Sequence, residues 1–338
     1  MKRVSVILFF LASLLPAATF GQDIHFSQFN GSLLNLSPGF TGLLDGDYRL
    51  GALFRSQWSS VPVSYSTFSM HGETRFKPNL YKRHLMGLGL VFNSDKAGDA
   101  NYGSNQLYFN GNYIFMLKPD SSLFVTAGLN VGWCSVGFNY DKMTFDNQFN
   151  GLQYDRSLSS GETFSRTQKN YADVSAGSVV QYIHQRRHRF TYALGLHHVS
   201  RPVITYQGND LSRLDFKITN MLGYSTDISA KTDIIVEALL TNQGKNYEII
   251  PHASLRYFMD RGVPQSIQGG LCWRARDAVV LRFGYNYKTL QSGIAYDVNI
   301  SRFIAATNRR GAFELFVNYV FRKPPPFQAK KRACPVFM

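Results

Sequence analysis

The sequence predicts an all-β fold, a transmembrane antiparallel β-barrel of about 14 strands, and three observations carry that prediction. The first is period-two alternation. Phe313, Leu315, Val317, Tyr319 and Phe321 share one strand face, while Ala312, Glu314, Phe316 and Asn318 share the other. Just upstream, Ile294, Tyr296, Val298 and Ile300 alternate with Gly293, Ala295, Asp297 and Asn299. One aromatic, apolar face and one small or polar face is the pattern of a sheet between two different solvents. The second is composition: 14% of residues are aromatic and 17% charged, against roughly 25% charged in a soluble domain. Mean hydropathy is nevertheless −0.17, and after about residue 21 nothing approaches the roughly 18 consecutive apolar residues of a spanning helix. A barrel reconciles these facts, because only every second residue meets lipid. The third is an even strand count with long and short connections alternating.

Taken in order, residues 1–21 read as a secretory signal peptide: Lys2 and Arg3, an apolar run over 4–15, then small residues before Gln22. Residues 22–47 carry Gly31, Pro38, Gly39 and Gly42 and are expected to pack in the lumen or at the periplasmic rim. The barrel is expected over 48–321. Its first strand spans 48–58, with Tyr48, Leu50, Ala52 and Phe54 outward and Arg49, Arg55 and Gln57 on the other side. Further strands fall at 63–75, 85–93, 104–117, 122–138, 171–184, 189–199, 213–225, 232–241, 246–258, 266–274, 278–287, 289–301 and 311–321. That is about 23 residues for each strand with its connection, enough for a tilted crossing. With both ends in the periplasm, the connections 94–103, 139–170, 200–212 and 302–310 face outward. Those at 118–121, 185–188, 226–231, 259–265 and Lys288 are mostly short, with 76–84 the exception. Long external loops with short periplasmic turns are the habit of exported barrels. Lys323-Pro324-Pro325-Pro326 ends strand pairing, leaving 322–338 as a basic periplasmic tail.

The formal charge is +14. Part of it lies in the leader and tail, and the rest is scattered through turns and loops. Without a helix-borne basic patch or zinc-knuckle spacing, no nucleic acid is expected. Anionic lipid head groups or an acidic partner suit such a chain better. Of three cysteines, Cys134 and Cys272 fall inside strands as small packed side chains. Cys334 lies in the tail, and an odd number leaves at least one thiol unpaired.

No enzyme is expected and no cofactor or metal. There is neither a Gly-x-Ser-x-Gly elbow nor a His-Glu-x-x-His helix, and adjacent His197 and His198, placed in a strand, point to opposite faces. Glu237, Glu248, His252, Arg256, Arg282 and Asp297 fall opposite the apolar stripes and are read as a polar lumen network. Its charges either neutralise one another or line a permeation path. The loop 141–170 offers Asp146, Tyr154 and Arg156 as a surface for a partner, without EF-hand spacing. A passive porin and a barrel lipase are the alternatives from other classes. Open conductance in planar bilayers would mark the first, and hydrolysis lost on a Ser or His substitution the second.

Ordered segments then resemble a known family. Gln22-Asp23-Ile24-His25-Phe26-Ser27-Gln28-Phe29 and Leu36-Ser37-Pro38-Gly39-Phe40-Thr41-Gly42 are similar to the opening of the PorP/SprF membrane proteins of the Bacteroidetes type IX secretion system. So are Arg55-Ser56-Gln57-Trp58, Thr67-Phe68-Ser69, Gly87-Leu88-Gly89 and Asp95-Lys96-Ala97-Gly98. Late in the chain come Asp277-Ala278-Val279-Val280-Leu281, Gly284-Tyr285, Tyr296-Asp297-Val298-Asn299 and the ending Cys334-Pro335-Val336-Phe337. Ser37, Gly39 and Val336 stand where the family usually has Asn, Ala and Arg. The resemblance marks Phe26, Gln28, Pro38, Gly42, Arg55 and Trp58 as family-motif residues. It implies an outer-membrane barrel that supports export, or cell-surface retention, of cargo bearing type IX C-terminal signals, gliding adhesins among them. It also implies partners in a periplasmic lipoprotein ring and a peptidoglycan-binding protein, with outer-membrane lipid around the barrel. The family supplies no catalytic residues.

Overall fold

The computed structural model describes residues 23–322 apart from 60, 62, 79–82, 119–121, 186, 207–211, 261–264 and 303. The leader and the tail with Cys334 and Val336 therefore lie outside the described residues. Fourteen strands follow one another: β1 (Tyr48–Gln57), β2 (Tyr65–Phe76), β3 (His84–Ala97), β4 (Tyr102–Met116), β5 (Leu123–Gly137), β6 (Gln168–His184) and β7 (His188–His197). Then come β8 (Lys217–Ser229), β9 (Thr232–Gln243), β10 (Asn246–Asp260), β11 (Gln265–Arg274), β12 (Ala278–Tyr287), β13 (Leu290–Asn299) and β14 (Arg310–Phe321). Each pairs antiparallel with its sequence neighbours, and β1 closes on β14 with Tyr48 opposite Phe321. Closure leaves no strand edge unpaired, which is what lets a sheet sit in hydrocarbon.

The side chains are arranged inside out. On β5, Leu129, Val131 and Trp133 are 61%, 57% and 63% exposed, while Thr126, Asn130 and Cys134 between and beside them are buried. Outward-facing Leu, Val and aromatic side chains recur on every strand, and Ser69, Asn93, Gln106 and Asp173 face the interior. Only a solvent of hydrocarbon outside makes that arrangement stable. Leu129 sits midway along β5. Leu129→Arg is therefore expected to cost about 2–4 kcal/mol of folding free energy in bilayer vesicles, the range for a cation at the membrane midplane. A guanidinium titration followed by tryptophan fluorescence measures it, with Leu129→Phe as a near-neutral control.

Several strands run differently from the sequence reading. β3 extends to Ala97 rather than stopping at 93, β6 starts at Gln168 rather than 171, and β8 spans Lys217–Ser229 rather than 213–225. Beyond Phe92 both faces of β3 are polar, yet its pairing with β2 and β4 continues. The apolar stripe marks the lipid band, whereas hydrogen bonding carries the strand past it. The longest connections, 138–167 and 198–216, lie at the end away from Tyr48 and Phe321. By the usual rule that end is external.

Residues 23–47 run through the barrel interior with turns at Phe29–Asn35 and Pro38–Phe40. Phe29, Leu36 and Phe40 pack with inward-facing Val179, Met221, Leu239, Ile250 and Val280 in one buried cluster. The lumen is thus not purely polar. Strand positions that meet the aromatic side chains of this segment are apolar on the inside too.

Candidate functional site

The site is the junction between the inner segment and the barrel wall, built from the outer end downward. Asp23 lies beside Lys217 Nζ (3.2 Å) and His198 Nε2 (3.4 Å). His198 Nδ1 in turn meets Asp173 (2.8 Å), which also accepts a hydrogen bond from the Tyr108 hydroxyl (2.9 Å). Four residues on, the backbone N–H groups of Ser27 and Gln28 both donate to the Glu314 carboxylate at 2.7 Å. Arg55 bonds the same carboxylate and reaches Asp297 at 3.1 Å; the Ser27 hydroxyl donates to Asp297 at 3.0 Å. Arg274 completes the group, bonded to Asp297 and to Asp277 (2.6 Å). Arg55, Glu314 and Asp297 are 2%, 0% and 1% exposed, so these charges persist only because each is paired. The ladder between β13 and β14 shifts register between Tyr296 and Val298, beside Asp297, a common place for a bulge that re-aims a side chain.

Lower down, Asn30 bonds Glu237, which also accepts from His252 at 3.0 Å. The Phe29 ring lies edge-on to His252 and under the Arg282 guanidinium, 5.7 Å from its centroid. The Asn112 amide donates to the carbonyls of Gly39 (2.8 Å) and Thr41 (2.7 Å), and Thr126 donates to that of Gly39 (2.8 Å). The Gly42 N–H donates to Glu73 (2.6 Å), whose other oxygen pairs with Arg49.

Two glycines make this descent sterically open. Gly42 has φ +82°, and a Cβ there would stand 2.7 Å from Gly87 Cα. At Gly39 a Cβ would meet the Ser178 backbone at 2.8 Å and Thr126 Oγ1 at 2.9 Å. Gly39→Ala, restoring the residue usual in the resembling family, is expected to destabilise this chain by about 1–3 kcal/mol through overpacking. Denaturant titration of the refolded barrel measures that loss.

The structure divides the six residues read as one lumen network. Asp297 and Glu248 belong to the outer group with Arg274, from which Glu248 stands 3.9 Å away. Glu237, His252 and Arg282 surround Phe29 and Asn30, and Arg256 donates to Gln268 (3.4 Å). Glu314, Arg274 and Asp173 were not singled out in the sequence, although Glu314 is the one carboxylate on the inner face of β14. Of the family-motif residues, Phe26 and Gln28 are buried, Pro38 opens the second turn and Arg55 is the central cation. Trp58, just past β1, packs edge-on to Tyr65 at 5.5 Å.

His197 and His198 do not point to opposite faces. β7 ends at His197, and His198 turns back inward at φ +57°, so both rings are buried. His197 Nε2 meets the Leu36 carbonyl (3.0 Å) while His198 meets Asp173. Among the described residues no cluster of three metal-ligating side chains forms.

In the outer loop, Asp146 begins the short turn Asp146–Gln148, and Tyr154 pairs with Phe149 both by a β-bridge and by ring contact at 5.7 Å. Asp146 and Arg156 are exposed. Hydrogen bonds from the Ser157 hydroxyl and amide hold the Asp155 carboxyl below the usual range. Leu152 at the loop apex is 93% exposed.

Residues 18–319 match the family model described as type IX secretion system membrane protein PorP/SprF. No curated protein matches the sequence. Among solved structures, the toluene transporter TbuX of Ralstonia pickettii is similar at 10% identity and TM-score 0.51, over 86% of this chain and 92% of that one. A Pseudomonas aeruginosa FadL homologue has 10% identity and TM-score 0.49, over 85% and 93%. At such identity the likeness to TbuX concerns the barrel fold alone.

Proposed function

The chain belongs to the PorP/SprF family of type IX secretion system membrane proteins, and from that premise we propose that it serves secretion as a sealed docking barrel. It is a 14-stranded outer-membrane β-barrel. In this reading the external loops, chiefly 139–170 and 200–212, hold cargo bearing type IX C-terminal signals for export or surface retention. Gliding adhesins are one class of such cargo. The short-turn side and the basic tail meet the periplasmic lipoprotein ring and its peptidoglycan-binding partner. The observation that carries the reading is the occupied lumen: residues 23–44 fill its outer part, held by backbone hydrogen bonds to the buried, ion-paired Glu314. A fixed filling argues for work at the rims over passage through the middle, and against the porin alternative.

Deleting the gene and following every type IX cargo tests the proposal; full export and retention of all of them sinks it. A finer test replaces Phe149 and Leu152 with Ser. Exposed apolar side chains at a loop tip are apt contact points, so surface-retained cargo is expected to fall several-fold while the barrel still inserts and resists heat in detergent.

A further inference from the structure

The inner mouth of the lumen is built as a receptor of its own. Below the filled outer part lies a cavity of about 920 Å³, reaching the short-turn end of the barrel. Its walls carry eight Lys or Arg side chains against four Asp or Glu. The cations are spread around the wall, with Arg75 on β2, Arg189 on β7, Arg256 on β10 and Arg282 on β12. Two guanidinium donors there lack partners among the described residues: Arg256 Nε and Arg282 Nη1. Buried donors without acceptors are costly, and an anion in the cavity offsets the charge of the guanidiniums that carry them.

We propose that this vestibule binds an acidic, extended peptide segment of a periplasmic protein. The excess of positive charge selects an anion. The spread of cations over four strands and the size of the cavity select a chain of carboxylates over a single small ion. Lipid head groups are unsuited, because the groups in question face the lumen. The protein's own tail, with Lys330, Lys331 and Arg332, carries the wrong sign. The proposal deepens the docking role by assigning the chemistry of its periplasmic contact. It remains separable from that role, because binding is read on the purified barrel without cargo.

The test uses the full-length protein in detergent and three fluorescein-labelled peptides of twelve residues, Asp/Glu-rich, Asn/Gln-rich and Lys-rich, followed by fluorescence anisotropy. The acidic peptide is expected to bind alone, and more weakly as salt rises. Arg256→Gln with Arg282→Gln is expected to weaken binding by about tenfold or more. Arg75→Gln with Arg189→Gln, at exposed lumen positions tolerant of exchange, is expected to weaken it as well with heat resistance unchanged. Equal binding of the neutral peptide, or acidic-peptide binding indifferent to both double variants, overturns the proposal. So does complete competition by acetate at the peptide's own affinity, which would mark a site for single ions only.

Discussion

Glu314→Ala is expected to lower folding stability by about 3–5 kcal/mol, the range for breaking a buried ion pair from one side. The carboxylate is 0% exposed and accepts the N–H groups of Ser27 and Gln28 as well as Arg55. Its removal strands two backbone donors and takes away one of the three carboxylates, with Asp297 and Asp277, that balance Arg55 and Arg274. Glu314→Gln should retain part of the stability, because an amide oxygen still accepts one N–H but brings no charge. Guanidinium titration in vesicles gives the magnitude. Amide exchange at residues 27 and 28 shows whether the loss is local, and protection equal to wild type in the alanine variant would refute the anchoring role. Arg55→Ala should behave similarly, leaving Glu314 and Asp297 facing each other.

The second large effect concerns conductance. Deleting residues 23–43 while keeping the barrel strands should turn a silent protein into a channel in planar bilayers. The intact chain fills the lumen with Phe29, Leu36 and Phe40 packed on Val179, Met221, Leu239 and Ile250, and water does not cross such a core. Once it is removed, the cationic inner mouth should make the current anion-selective. The deletion also exposes apolar wall positions, so the protein should unfold at lower denaturant than the parent. Silent bilayers with a correctly inserted deletion variant would mean that something other than this segment closes the barrel. Open channels from the intact protein would favour the porin reading.

Much of the fold was legible because lipid imposes a rule that a single strand can display. Phe313 to Phe321 alternates cleanly, and each such strand announces its outer face without help from its neighbours. Strand ends were less legible: Asn93 to Ala97 are paired but stand above the lipid band, where neither face needs to be apolar. His198 escaped because one residue at positive φ reverses the alternation. The candidate site was read only in parts. Arg55, Asp297 and His252 are visible as charged or polar residues on inner faces, but nothing in the spacing tells which carboxylate meets which guanidinium when Arg55 and Glu314 stand 259 residues apart. A usable signal was present in the doubled apolar pairs Leu239-Leu240 and Ile249-Ile250. There a strand is apolar on both faces, which a water-filled lumen does not require and a packed one does.

By itself the sequence determined that this chain is a closed antiparallel barrel facing hydrocarbon, because solvent contact on alternate residues is a local property repeated strand after strand. The filling of the lumen by residues 23–44 and the partnership of Glu314 with Ser27, Gln28 and Arg55 were decided only by the tertiary structure. So was the cationic cavity left beneath. These depend on which distant strands closure brings face to face, and closure sums fourteen registers that no single strand contains.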